Sequence, residues 1–287
     1  MISSSNSSAD IICMRLVATD AECILFAQAC ENGLLDYHEI MRSRRVCHTW
    51  HRTITLYLGL LRRLHISVAG LRDQSQDKGL EIVMKVFDHI SKCRSSRLPA
   101  LLDLQIPPVR PFPALASRIA SQCRLLTLDM SAKKSKIKLG DDGAVTLAHV
   151  LGSLSSLRAL RLSHNAIEER GCEAISRGLQ MIKKLQDLDL SWNRISSRAC
   201  KALCSSSSGL WSLSCLTSLK LSGNLIGISM PMSGRAGGIE ACQAVGKLLS
   251  NQCMSGLTCL RLDGNGIGEK ECRALCESAR MLPGPCV

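Results

Sequence analysis

The side chains able to do chemistry in this chain are scattered rather than gathered. Seven histidines (His38, His48, His51, His65, His89, His149 and His164) share no common spacing. Cys47 and His51 are four apart, and on a helix they would face one way. Zinc needs four ligands, and no paired Cys-x-x-Cys accompanies them, so the segment predicts no metal site. There is no glycine-rich phosphate loop, no nucleophile elbow and no His-Glu-x-x-His pattern. Ser205–Ser208 is a low-complexity run. No catalytic residue, no cofactor and no enzymatic reaction are expected. Lys133, Lys134, Lys136 and Lys138 crowd six positions, which suits a nuclear-import or phosphate patch or, more simply, a solvated loop.

The elements that position the remaining polar residues come from a repeated frame. The chain reads LRALRLSHNAI, LQDLDLSWNRI, LTSLKLSGNLI and LTCLRLDGNGI, starting at Leu157, Leu185, Leu216 and Leu257. Each fits L-x-x-L-x-L-x-x-N-x-I. The last two leucines of the frame are two apart, so on a strand they point to one side and the intervening residue to the other. Asn165, Asn193, Asn224 and Asn265 fall where the chain turns away, and an inward amide there can satisfy backbone groups of adjacent coils. A second pattern fixes the register of each return segment. Seven residues after the Asn come Cys172, Cys200 and Cys272, then Ala174, Ala202 and Ala274, then Ile175, Leu203 and Leu275. The third repeat keeps the trio as Cys242, Ala244 and Val245 once eleven residues are set aside, which makes Gly227–Gly237 an inserted rim loop.

This frame resembles the leucine-rich repeat, and most closely the ribonuclease-inhibitor-like class with a helix in every repeat. The resemblance implies an α/β solenoid, with parallel strands on a concave face and helices on a convex one. One coil cannot bury its own apolar face, so several must stack. Residues facing away from the leucines would then form rows. The central row is Asp129, Arg161, Asp189, Lys220 and Arg261. It is flanked by Thr127, Ala159, Asp187, Ser218 and Cys259 on one side, and by Ser131, Ser163, Ser191, Ser222 and Asp263 on the other. Charges of both signs in register suit recognition of a protein of complementary charge. Trp192 and His164 follow at the turn, where an exposed Trp is a candidate anchor. Asp129, Arg161, Asp187, Asp189, Trp192, Lys220, Arg261 and Asp263 are the expected partner-binding residues.

Weaker coils precede the clear ones. Leu61-x-x-Leu64-x-Ile66 and Leu101-x-x-Leu104-x-Ile106 each suit the start of a degenerate coil, with an amphipathic helix over Lys78–Lys92 between them. Four prolines from Pro107 to Pro113 predict a stiff connector, with no regular helix before about Ala114. Leu125-x-x-Leu128-x-Met130 is a clearer coil, but Lys133 stands where the Asn should be.

Residues 1–9 are a Ser/Asn-rich tail, and from about Ile11 to Ile54 the pattern predicts helices. Arg44-x-Val46-Cys47-x-x-Trp50-x-Arg52 resembles the second half of an F-box, with Ile40 and Ile54 on the same apolar stripe. The usual Leu-Pro opening is absent. The resemblance implies binding of a ubiquitin-ligase linker subunit through Ile40, Val46, Cys47, Trp50 and Ile54. The alternative is a helical cap over the first coil, which a solenoid requires in any case. The expected organisation is therefore a tail (1–9), an F-box-like or capping helical segment (10–57), degenerate repeats with a proline-rich connector (58–124), leucine-rich repeats (125–282) and a tail (283–287).

Bulk properties narrow the function further. The chain has 287 residues, 46% apolar and only 3% aromatic, as expected where leucines and small residues build the core. No apolar run approaches a membrane span. The net charge of +12 lacks interleaved aromatics, which speaks against single-stranded nucleic acid. Sixteen cysteines are spread evenly, and no secretion signal is visible, so free thiols in a reducing cytoplasmic or nuclear compartment are expected. The expectation is a non-enzymatic protein-binding scaffold using the concave face, in one version the substrate receptor of a cullin–RING ligase. The alternatives are a GTPase regulator or immune-sensor type of repeat protein, or a basic nucleic-acid-associated protein.

Overall fold

The computed structural model describes residues 13–17, 63–67, 101–105, 112–121, 124–133, 135, 137–205, 207, 209–228 and 237–279. The chain divides into two units, Met1–Ile106 and Pro107–Val287. Each is taken by itself.

The first unit contains three described strands: β1 (Cys13–Val17), β2 (Arg63–Ser67) and β3 (Leu101–Gln105). β2 and β3 run parallel, as two coils of a solenoid would. Their register departs from expectation, because Ile66 rather than Leu64 lies opposite Leu104. The pairing is three residues off the frame at Leu64 and two residues off from His65 onward, with the irregularity between them, so the repeat frame is lost. β1 is a correction to the helical reading of the N-terminal segment. It pairs antiparallel with β2, placing Met14 opposite Ile66 and Leu16 opposite Leu64. The segment is short and carries no polar face at helical spacing. Pairing along an open strand satisfies its backbone directly. The F-box-like residues Ile40, Val46, Cys47, Trp50 and Ile54, and the amphipathic Lys78–Lys92, lie outside the described residues.

The second unit is an α/β leucine-rich-repeat solenoid. It opens with α1 (Phe112–Ala120), two residues earlier than the prolines suggested. Pro113 falls in the first turn, where no intrahelical partner needs its missing N–H. Strands and helices then alternate: β4 (Thr127–Asp129), α2 (Gly140–Leu151), β5 (Ala159–Arg161), α3 (Glu169–Leu179), β6 (Asp187–Asp189), α4 (Ser197–Leu203), β7 (Ser218–Lys220), α5 (Gly237–Leu249), β8 (Cys259–Arg261) and α6 (Glu269–Ala279). The five strands are parallel and in unbroken register, so Leu128, Leu160, Leu188, Leu219 and Leu260 form one row. Leu128, Leu160, Leu188 and Leu219 are fully buried, and so are Leu125, Leu157, Leu185 and Leu216. From the helix side, Cys172, Cys200 and Cys242 enter the same core with Ile175, Leu203 and Val245, while Ala202 and Ala244 are only half-buried. The inserted loop falls largely on residues outside the description; Gly227 and Gly237 mark its ends.

The asparagines bind each coil to the one before it. Asn193 Oδ1 accepts from the backbone N–H of Asn165 (2.9 Å) and Ile167 (3.1 Å), while its Nδ2 donates to the carbonyls of Leu162 (3.0 Å) and Leu190 (2.9 Å). Asn224 repeats this with the N–H of Ile195 and the carbonyls of Leu190 and Leu221. Asn265 does so with Ile226, Leu221 and Leu262, and Asn165 with Leu139 and Met130. All four are buried polar side chains with their hydrogen-bonding capacity used. On the helical side, exposed ion pairs also cross between coils: Asp142–Arg170, Glu168–Arg194, Glu169–Arg198 and Lys201–Glu240. Each such exposed pair is worth only about 0–1 kcal/mol. The amides matter more, because removing one strands several buried backbone groups at once.

Asn193→Ala should therefore destabilise the protein by about 2–4 kcal/mol in urea unfolding. Exposed Lys133 stands at the equivalent place in the first of these coils, and Lys133→Ala should cost less than about 0.5 kcal/mol.

Candidate interaction surface of the strand face

Strand register alone sets the charged row. Asp129 pairs with Arg161, Arg161 with Asp189, Asp189 with Lys220, and Lys220 with Arg261, all on the face opposite the leucines. The expected row is therefore one continuous line. The flanking row through Ala159, Asp187, Ser218 and Cys259 is equally regular. On the other flank the expectation holds only in part, since Ser191 and Ser222 are buried against the turns.

Asp187 is the hub of this face. Arg161 reaches it from the preceding coil through Nε (3.1 Å) and Nη2 (2.9 Å), and Lys220 Nζ from the following coil at 3.3 Å. Its side chain is 18% exposed, so it is largely enclosed by the two cations. Burial pushes its pKa up. The hydrogen bond from Arg161, the Lys220 charge, the Ser218 hydroxyl and the Arg161 charge together overcome that, holding the carboxyl below the ordinary range. Asp129 and Asp189 are committed differently. Each accepts, through Oδ1, the N–H two residues on, at Ser131 (3.0 Å) and Ser191 (2.9 Å), closing the turn that leaves the strand. Asp263 accepts from the Ser222 hydroxyl at 2.7 Å, and that bond holds its carboxyl low. Arg261 is exposed and makes no ion pair among the described residues. Its charge helps to hold the Asp263 carboxyl low.

At the rim the structure adds something that sequence reasoning did not see. The residue before each Asn has positive φ: His164 (61°), Trp192 (56°), Gly223 (65°) and Gly264 (69°). Glycine adopts that conformation freely, whereas a side chain carries a cost of about 1–2 kcal/mol. The two glycines in the frame were the available signal. His164 and Trp192 stack with ring centroids 5.5 Å apart and planes 2° from parallel. On its other side the indole lies against Gly223, where a Cβ would fall 2.6 Å from the ring. Trp192 still keeps 57% exposure. It is both packed and presented, an aromatic held rigid without being covered. Burial, then the Lys138 and Lys133 charges, lower the His164 pKa against the opposing pull of Asp189, so the imidazole is neutral at neutral pH. Lys138 is not a free loop cation, since its Nζ donates to the Ala132 carbonyl at 2.6 Å. Lys134 and Lys136 lie outside the described residues.

The Leucine Rich repeat family model matches residues 153–176 and 182–204, which carry the second and third strands of this surface. The chain carries leucine-rich repeats. No curated protein matches it. Among solved structures it is similar to an internalin of Listeria monocytogenes, at 24% identity and a TM-score of 0.36 over 61% of this chain and 44% of the internalin. It is also similar to the tropomodulin C-terminal domain of Caenorhabditis elegans, at 9% identity and a TM-score of 0.40, over 59% of this chain and 92% of that domain. The chain thus spans less than half the length of the internalin. No group of three or more potential metal ligands occurs among the described residues of the repeats or elsewhere. No described helix is long and apolar enough to cross a membrane. The cysteines from Cys172 to Cys276 are free thiols.

Two titrations follow. Asp187 has a folded pKa below its ordinary value of about 3.9. The stability it supplies is complete above that value and is lost as pH falls through the lower folded pKa. Asp187→Asn should flatten this acid arm of a pH-dependent melting profile and, by leaving Arg161 and Lys220 unopposed, lower the melting temperature at neutral pH. His164 should titrate below about 6.5 by NMR, and quenching of Trp192 fluorescence should follow the same midpoint and disappear in His164→Gln.

Proposed function

We propose that the protein is a non-enzymatic binding scaffold whose concave strand face receives a protein partner. The observation that carries this is the unbroken register of β4–β8, which puts Asp129, Arg161, Asp189, Lys220 and Arg261 on one line beside an exposed, immobilised Trp192. Rows of alternating charge select a partner of matching pattern, and a rigid aromatic supplies affinity at little cost in side-chain freedom. Arg161 and Lys220 share the Asp187 carboxylate, whereas Arg261 is exposed and makes no ion pair among the described residues. The partner therefore brings a carboxylate to Arg261 and an apolar or planar side chain to Trp192.

Two finer assignments rest on sequence. The Arg44-x-Val46-Cys47-x-x-Trp50-x-Arg52 segment supports a substrate receptor of a ubiquitin ligase, in which Ile40, Val46, Cys47, Trp50 and Ile54 hold the linker subunit. The row of buried cysteines supports a reducing cytoplasmic or nuclear location. Burial raises the Cys172 thiol above its usual range and pushes Cys242 up to about 11. These are packing residues that work as protonated thiols.

Affinity capture with the whole chain, compared with Arg261→Ala and Trp192→Gly, tests the first assignment. Neither change removes a core contact, and glycine relieves the positive φ at 192, so melting temperatures should move little. Bound partner should fall by about tenfold or more in each. An unchanged partner set would reject the strand face as the site. Co-precipitation with a ligase linker subunit, lost in Trp50→Ala of the full chain, tests the second.

A further inference from the structure

Charge is sorted between the two ends of the strands. The exposed ion pairs that cross between coils, Asp142–Arg170, Glu168–Arg194, Glu169–Arg198 and Lys201–Glu240, fall in the turn before a helix or in its first two turns. The other end carries no acid. The five loops that lead from a helix to the next strand, residues 121–126, 152–158, 180–186, 204–217 and 250–258, contain no Asp or Glu. Arg124, Arg158, Lys183 and Lys184 stand in them, and Arg177 joins them from the last turn of α3. All five cations are exposed, and none makes an ion pair among the described residues. The helix dipole favours a cation at Arg177, within the last turn, but does not call for the four in the loops. Asp187, the one acid that opens a strand, is already held between Arg161 and Lys220.

Backbone pairing brings these side chains onto one edge. The N–H of Arg158 donates to the Leu126 carbonyl at 2.7 Å, that of Gln186 to Arg158 at 2.7 Å, and that of Thr217 to Gln186 at 2.9 Å. Residues entering the strands therefore form a row, with a step of about 4.8 Å from coil to coil. Arg158 lies in that row, and Arg124 and Lys184 stand two residues before it in the coils on either side. Exposed Ser153, Ser155 and Gln186 lie among the cations. Among the described residues, Met181 is the only large apolar side chain exposed at this edge.

We propose that this edge binds the phosphate backbone of double-stranded nucleic acid, without reading its sequence. A duplex carries one negative charge per about 1.7 Å of its axis, and cations, hydroxyls and amides are the groups that contact its phosphates. A protein partner calls for buried aromatic or apolar anchors, and a bilayer for an apolar face to insert. Met181 alone supplies neither. No exposed aromatic stands among the cations to stack on unpaired bases, which sets single strands aside. Trp192 and Arg261 lie toward the other end of their strands, so the edge shares no residue with the proposed partner surface.

Fluorescence anisotropy of the full chain with a labelled duplex of about 20 base pairs tests this at several salt concentrations. The logarithm of the binding constant should fall with that of salt at a slope of about −4 to −5, as for about five neutralised phosphates. Changing Lys183 and Lys184 together to Ala should weaken binding by about tenfold or more and reduce that slope by about 2. The melting temperature should not move, changing both to Arg should retain binding, and scrambling the duplex sequence should have no effect. No binding at low salt overturns the proposal, as does an affinity that the alanine pair leaves unchanged. Tighter binding of polyglutamate or of phosphatidylserine vesicles than of the duplex at equal salt also overturns it, and assigns the edge to a protein or a membrane.

Discussion

The structure of the repeat unit depends on one constraint: a chain that turns every few residues must find partners for the backbone groups the turns expose. A lone coil cannot do this inside an apolar core, where an unpaired N–H or carbonyl costs about 1–3 kcal/mol. Here the amide of one asparagine per coil closes the gap, accepting from the turn of the previous coil and donating to the carbonyls of both. The bonds point back along the chain in all four cases. Parallel strand register, the buried leucine rows and the cysteine row are then geometric consequences, since the amide fits only when neighbouring coils match residue for residue.

That fixed register turns a linear sequence into a patterned surface. Residues 26 to 41 apart in the chain become neighbours, and their charges interact across coils rather than along them. The resulting face is not a uniform comb of available charges. Asp187 gathers Arg161 and Lys220, Asp129 and Asp189 are spent on their own turns, and Asp263 holds Ser222. Arg261 and the Trp192 indole stay exposed beside these contacts, Arg261 without an ion pair among the described residues. The strain at Trp192 fits this picture. A positive φ is retained at a bulky residue when neighbours on both sides hold the ring, and His164 and Gly223 do so.

The leucines of the last described coil are less enclosed than those of the interior coils. Interior leucines are enclosed because a neighbour supplies the other half of their cavity. Leu260 and Leu262 occupy the same places in the frame but are only half-buried.

Sequence alone determined the repeat frame, the inward asparagines, the buried leucine row, the inward Cys172, Cys200 and Cys242 and the order of the exposed central row, because these follow from a frame that recurs from Leu157 to Leu275 with one insertion, Gly227–Gly237. It did not determine which charges remain free. Asp187, Asp189 and Asp263 look alike in the sequence, and only the approach of side chains from other coils makes one a hub, one a turn cap and one a serine acceptor. Nor did it determine the β1 pairing or the slipped register between β2 and β3. Short apolar segments suit helix or strand equally, and the choice falls to whichever neighbour can satisfy the backbone. The stacking of His164 on Trp192 was likewise beyond sequence, since it joins a backbone conformation reserved for glycine with two rings 28 residues apart.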